Sequence, residues 1–218
     1  ERSDYQNKFS HLGFGSYTLK SYKDVFHYIL QKLVFGSEIF RSDIFQKYKT
    51  IFDKNKRLID TDTIRHIFTF EKLKKITNPK KICIIGDGKI NGILGAHLTF
   101  PDAKIFSVNL SETLINDYKI LNELDIALKN SIELVEDLEF KTSNKKLHLI
   151  PSHLKNYLMD KGIDLFINIA SFQEMNMNEI SQYFHILIEM LILMHSLYHL
   201  NYIIALYFYP YLHIMLDQ

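Results

Sequence analysis

The sequence predicts an α/β protein: a Rossmann-like, doubly wound, mostly parallel sheet with an N-terminal helical segment. Three observations carry this. Residues 80–110 read as strand, glycine turn, helix, strand. From Lys80 onward short apolar runs alternate with helical patterns, as parallel strands joined by right-handed crossovers require. Before Lys80 the apolar residues recur at helical spacing. The expected organisation is a helical lid or appendage over residues 1–78 and a Rossmann-like domain over 79–218.

The first strand is the run 82–85, whose β-branched residues suit burial on both faces. Gly86-Asp87-Gly88 follows, with a further glycine at Gly92. Glycine at a strand-to-helix turn lets the backbone fold tightly and approach a ligand closely. The next helix, 91–98, aims its free N–H groups at whatever lies over the turn. A second apolar run, 105–108, follows Pro101. This is a nucleotide-type βαβ unit, with a ligand expected at the carboxyl ends of its strands. An ordinary turn with no ligand is the competing reading, and the flanking strands favour the ligand.

The elements before this unit are helices. Residues 1–20, with Gly13 and Gly15, read as an irregular lead-in. Ser21 and Asp24 form a capping pair for a helix whose apolar stripe is Val25, Phe26, Ile29, Leu30, Leu33 and Val34, ended by Gly36. Phe40, Ile44, Tyr48, Ile51 and Phe52 mark a second helix. A third runs from Thr61 or Asp62 through Leu73 and is closed by Asn78-Pro79. The aromatic stripes, Phe26, Phe40, Phe45, Phe52, Phe68 and Phe70, read as core with some contribution to a pocket.

After the second strand, Ser111 is placed to cap a helix carrying Leu114, Tyr118, Leu121 and Leu128. Residues 133–146 read as helix end and loop. A third strand, 147–150, stops at Pro151. Ser152 then caps a short helix, 153–160, which Gly162 ends. A fourth strand over 163–169, a long helix over 179–200 and a fifth strand over 202–208 complete the pattern. A sheet that ends on a fresh strand shortly before Gln218 has an open edge, to be covered by further strands or by another chain, including a second copy.

Composition narrows the partners. With 47% hydrophobic and 23% charged residues, the 218-residue chain can bury a core and is not disordered. Its net charge of +1 gives no reason to expect nucleic acid. Lys72, Lys74, Lys75, Lys80 and Lys81, and Lys145 and Lys146, read as solvated helix ends and loops. The single cysteine, Cys83, precludes an intrachain disulfide. Together with the absence of a visible signal peptide, that fits a reducing, cytoplasmic compartment. In an apolar strand Cys83 is expected to pack rather than react. Residues 186–210 are apolar enough to raise a membrane span, but Glu189, His195, His199 and Asn201 interrupt them. A helix followed by a buried strand explains the same letters. His195 and His199 share a helical face without the zinc-protease pattern, so no metal is expected. His148 reads as structural, and Met175, Met177, Met190 and Met194 as core or pocket filler.

Two cofactor classes use such a βαβ unit, dinucleotides and S-adenosylmethionine. Dinucleotides call for Gly-x-Gly-x-x-Gly and an acid closing the second strand. Here the third glycine falls one place late, at Gly92, and the strand ends in Asn109. Asn109 still offers a donor and an acceptor for ribose hydroxyls. The helical preface, the turn at 82–88 and the segments after the second and fourth strands resemble, in order, the class I S-adenosylmethionine-dependent methyltransferases. Residues 109–114 (NLSETL) and 170–184 (ASFQEMNMNEISQYF) are similar to the bacterial sugar O-methyltransferase family. There the fourth strand leads into Ser-x-Gln-Glu-Met and then a helix with an early tyrosine. The matching residues here are Ser171, Gln173, Glu174, Met175 and Tyr183. The resemblance covers residues 80–208.

It implies S-adenosylmethionine as cofactor and a sugar or glycan hydroxyl as methyl acceptor. Gly86, Asp87 and Gly88 would line the methionine end, Asn109 would hold the ribose, and Leu110 would touch the adenine with Ser152 or His153 nearby. Ser171, Gln173 and Glu174 would stand where the methyl group meets the acceptor. Glu174 is the candidate base, with His153 second. The competing reading of Glu174 is a helix-start carboxylate favoured by the dipole. Three positions depart from the family pattern: Ile84 and Asn109 stand where it commonly has acids, and Ile90 where it commonly has glycine. They favour a second hypothesis, a non-catalytic interaction module that kept the fold and lost the cofactor. A nucleotide-dependent oxidoreductase is the third, disfavoured by the glycine spacing.

Overall fold

A computed structural model describes residues 22–55, 57, 59–87, 89–124, 126–137, 143–169, 171–195 and 203–207. The chain divides into two compact units, Glu1–Ile76 and Thr77–Gln218.

The described part of the first unit is helical: α1 (Tyr22–Phe35), a 3-10 turn (Ile39–Arg41), α2 (Asp43–Lys54) and α3 (Thr61–Ile76). The Ser42 hydroxyl caps α2 by accepting the Phe45 N–H at 3.2 Å. Asp60 does the same for α3, accepting the Thr63 N–H at 2.8 Å. Ile44, Phe45, Tyr48 and Phe52 from α2 and Ile64, Ile67, Phe70 and Leu73 from α3 are buried at helical spacing. Phe40 packs on Phe45 at 5.4 Å.

The stripe expected to bury α1 lies outside the core: Val25, Phe26, Ile29, Leu30, Leu33 and Val34 are exposed. The helix is anchored by an adjoining face. Phe35 is buried, Tyr28 packs edge-on to Phe40, and Gln31 donates to Thr61 Oγ1 at 2.8 Å. Two specific contacts and one buried ring thus choose the face that hydrophobic spacing assigns elsewhere. The lead-in over residues 1–20 and the cap Ser21 lie outside the described residues.

The second unit is a six-stranded sheet in the order β3-β4-β2-β1-β5-β6, with every pairing parallel. Its strands are β1 (Lys81–Ile85), β2 (Lys104–Asn109), β3 (Ile132–Leu134), β4 (Leu147–Pro151), β5 (Leu165–Ile169) and β6 (Ile203–Tyr207). Its α-helices are α4 (Asn91–Thr99), α5 (Ser111–Glu123) and α6 (Met177–His195), with 3-10 segments at Ala127–Ser131, Ser152–Leu158 and Ser171–Glu174. The α/β, Rossmann-like expectation is met. Five strands were legible in the sequence. The sixth, β3, lies partly in the stretch read as loop, because three residues carry no readable period.

Alternation along the strands divides the core. Cys83, Ile85, Phe106, Val108, Ile150 and Phe166 join one cluster with Tyr157, Leu158, Phe172, Tyr183, Ile186, Leu187 and Met190. The segment Ser152–Leu158 and α6 therefore cover that face. Helices α4 and α5 cover the other, where Ile84 lies against Gly92. Cys83 packs as expected, and burial pushes its thiol far above the ordinary range.

Two expected caps fall differently. Leu110 precedes α5 and Pro151 precedes the segment Ser152–Leu158, so Ser111 and Ser152 are first residues of their elements, and neither helix start has a side-chain cap. Leu128 belongs to the 3-10 segment Ala127–Ser131 rather than to α5. The lysines at strand starts brace loops: Lys81 Nζ donates to the Lys161 carbonyl at 2.6 Å, Lys104 Nζ to that of Ser143 at 2.7 Å, and Lys146 Nζ to that of Pro101. Among the described residues no helix is long and apolar enough to cross a membrane. Of the run at 186–210, the described residues form the end of α6 and strand β6, and residues 196–202 and 208–210 lie outside the described residues.

Candidate functional site

Strand order reverses between β1 and β5. The chain moves outward from β1 to β2 and on to β3 at the edge, inserts β4 between β3 and β2, then returns to lay β5 on the opposite side of β1. Ligands of open α/β sheets bind at this switch point, outside the carboxyl ends of the strands. The turns after β4, β2, β1 and β5 open there, across about 14 Å of sheet at ~4.8 Å per strand. Pro151 is in register with Asn109, Val108 with Ile85, and Ile85 with Asn168. Every candidate residue from the sequence except Gly88, which lies outside the described residues, therefore belongs to one edge.

Gly86 has φ +76°, and its N–H donates to the Val108 carbonyl at 2.9 Å. A Cβ there would meet Ser171 Oγ at 2.1 Å, so only glycine lets the turn after β1 touch the turn after β5. Ser171 Oγ donates to the Ile85 carbonyl at 3.0 Å. Asn168, buried, donates to that same carbonyl at 3.2 Å and to Ser171 Oγ, while its Oδ1 accepts the Phe172 N–H at 3.3 Å. Asn168 ties β1, β5 and the turn Ser171–Glu174 together, a role the sequence reading missed. The available signal was an amide in an otherwise apolar strand.

Asp87 does not lie open to a ligand as the resemblance implied. It is 3% exposed, and its Oδ2 accepts the Ile93 N–H at 2.7 Å, capping α4 with a carboxylate. Gly92 makes room for it, since a Cβ there would lie 3.1 Å from Asp87 Oδ2 and 2.9 Å from Ile84 Cγ2. The late glycine thus provides the close helix–strand packing expected of a third glycine. Ile90, at the α4 N-cap, holds φ +60° with its side chain buried. A β-branched residue in the left-handed region is an outlier.

At the end of β2, Asn109 Oδ1 accepts the Leu110 N–H at 2.9 Å, while its Nδ2 is buried without a hydrogen-bond partner. Leu110 is 65% exposed. Ser152 is half-buried and His153 exposed at the end of β4; Gln173 and Glu174 are exposed at the end of β5. Tyr183 is buried, which raises its phenol far above the ordinary range. Among the described residues no group of three or more His, Cys, Asp or Glu side chains could hold a metal.

Fold and edge together define a Rossmann-like α/β protein with a ligand-type switch point. No protein-family model, curated protein or solved structure gives a significant match to the chain.

Proposed function

We propose that the chain binds S-adenosylmethionine along the carboxyl edge of β4, β2, β1 and β5 and transfers its methyl group to a sugar or glycan hydroxyl. The Asp87–Ile93 hydrogen bond carries this reading over its nucleotide rival. A dinucleotide would set its pyrophosphate where the first helix presents free N–H groups. Here a buried carboxylate already accepts one of them. A phosphate beside it would meet like charge in a medium of low dielectric. A cofactor free of phosphate escapes that repulsion.

The unpartnered Asn109 Nδ2 supports the cofactor's fit, as a donor for a ribose hydroxyl. Exposed Leu110 offers an apolar surface beside it for the adenine. When bound, the cofactor supplies an electrophilic methyl carbon and a thioether leaving group. The chain's own part is to hold acceptor and cofactor in line, which provides much of the rate in such a displacement. Glu174, exposed at the end of its turn, takes the proton of the acceptor hydroxyl, with His153 the second candidate.

The non-catalytic module is the second reading. Ile90 favours it, because a left-handed backbone position that suits glycine carries a buried branched side chain. Calorimetric titration decides among the three. Saturable binding of S-adenosylhomocysteine, weakened at least about tenfold in Asn109→Leu, supports the methyltransferase. Binding of a nicotinamide dinucleotide alone supports the oxidoreductase. Binding of neither leaves the interaction module.

A further inference from the structure

One ammonium ties the segment after β4 to the helix after β5. Lys155, in Ser152–Leu158, is only 9% exposed. Its Nζ donates to Glu179 Oε2 at 3.2 Å and to the Ser152 carbonyl at 3.4 Å. It also stands 5.5 Å from the centre of the Tyr183 ring. Glu179 and Tyr183 are four residues apart on α6, on one face. The Tyr183 ring packs on Phe172 at 5.9 Å, and Phe172 is held through its N–H by Asn168. A continuous path of contacts therefore runs from the Ser152 backbone through Lys155 to the turn Ser171–Glu174.

Burying a lysine is costly, and one carboxylate partner does little more than offset the lost hydration. Lys155 thus makes a poor case as a source of stability and a good one as a source of geometry. Strands β4 and β5 are separated by β2 and β1. The sheet's own ladder does not fix the loop after one against the loop after the other.

We propose that Lys155 is a positioning residue, a clamp that holds Ser152 and His153 in a fixed place relative to Ser171 and Glu174. The ligand side of this idea rests on the methyltransferase reading; the clamp itself does not. Hydrogen exchange on the unliganded chain tests the clamp, and titration with S-adenosylhomocysteine tests its use. In Lys155→Met, amides of 152–158 and 171–176 should exchange about tenfold faster while those of β1 are unchanged. Lys155→Arg should restore protection, because it keeps the charge and the donors. Affinity for S-adenosylhomocysteine should fall about tenfold in Lys155→Met and recover in Lys155→Arg. Unchanged local exchange, or faster exchange throughout 77–218, overturns the clamp. Looser loops with unchanged affinity overturn its role at the site. If the unsubstituted chain binds no S-adenosylhomocysteine, the ligand reading fails and the exchange pattern still decides the clamp.

Discussion

Gly86 and Ser171 are so close that a Cβ on Gly86 would lie 2.1 Å from Ser171 Oγ and 2.2 Å from Ser171 Cβ. This contact joins the turns after β1 and β5 at the switch point. Gly86→Ala combines that overlap with φ +76°, which an L side chain rarely adopts. The expected loss is about 2–4 kcal/mol, read from urea unfolding. Adding Ser171→Gly should relieve the overlap and leave the backbone strain, while also removing the Ser171 Oγ bonds to Ile85 and Asn168. In a cycle that includes Ser171→Gly alone, the two substitutions together should therefore cost less than the sum of their separate losses, and simple additivity would mean that the overlap contributes nothing.

Asp87→Ala removes the acceptor at the start of α4 and leaves a buried N–H without its partner. The expected cost is about 1–3 kcal/mol. Asp87→Asn keeps a side-chain oxygen in place and should lose less. Equal losses in the two variants would mean that the bond to Ile93 is not what holds α4.

Ile90 sets two effects against each other. Glycine there would relieve about 1–2 kcal/mol of left-handed strain. It would also delete a fully buried side chain, at about 2–5 kcal/mol. Burial wins, so Ile90→Gly should destabilise the protein despite its unfavourable φ. A rise in unfolding midpoint would show that relief of strain outweighs the lost packing.

His148 makes stability depend on pH. It is 2% exposed and stacks on Phe106 with ring centres 4.8 Å apart. Its Nε2 lies 3.1 Å from the Lys145 carbonyl, which can only accept, so Nε2 carries the proton. In the neutral ring Nδ1 then presents a lone pair to Glu133 Oε2 at 3.5 Å. Burial holds the His148 pKa below its usual 6.5, with Glu133 opposing. A base with a lowered folded pKa is destabilising once the unfolded chain takes up protons more readily than the folded one. Stability is therefore fully present above pH about 6.5 and is lost as pH falls through it towards the folded value. His148→Gln should flatten this slope in unfolding measured between about pH 5 and 7.5. An unchanged slope would assign the effect to another group, of which His97, also held low by burial, is the first to test.

The sheet was legible because each long strand is an apolar run bounded by glycine, proline or polar residues, and burial on both faces of a parallel sheet requires such runs. The edge was legible for a related reason, since the turns that close these strands are the ones a switch point exposes. Strand β3 was hidden because three residues carry no period, and the buried face of α1 because Gln31 and Tyr28 anchor it through particular partners.

By itself, then, the sequence determined the class of fold, the boundaries of five of the six strands to within a residue or two, and which turns share the carboxyl edge of the sheet. Tertiary structure decided what individual side chains do along that edge. It turned Asp87 inward to cap α4, left Asn109 Nδ2 without a partner, bonded Asn168 to Ser171, and set Lys155 against Glu179 on α6. The physical reason is range. Periodicity and turn chemistry act over a few neighbouring residues, whereas a hydrogen bond between Asn168 and Ile85 spans 83 positions and exists only once β1 and β5 lie side by side.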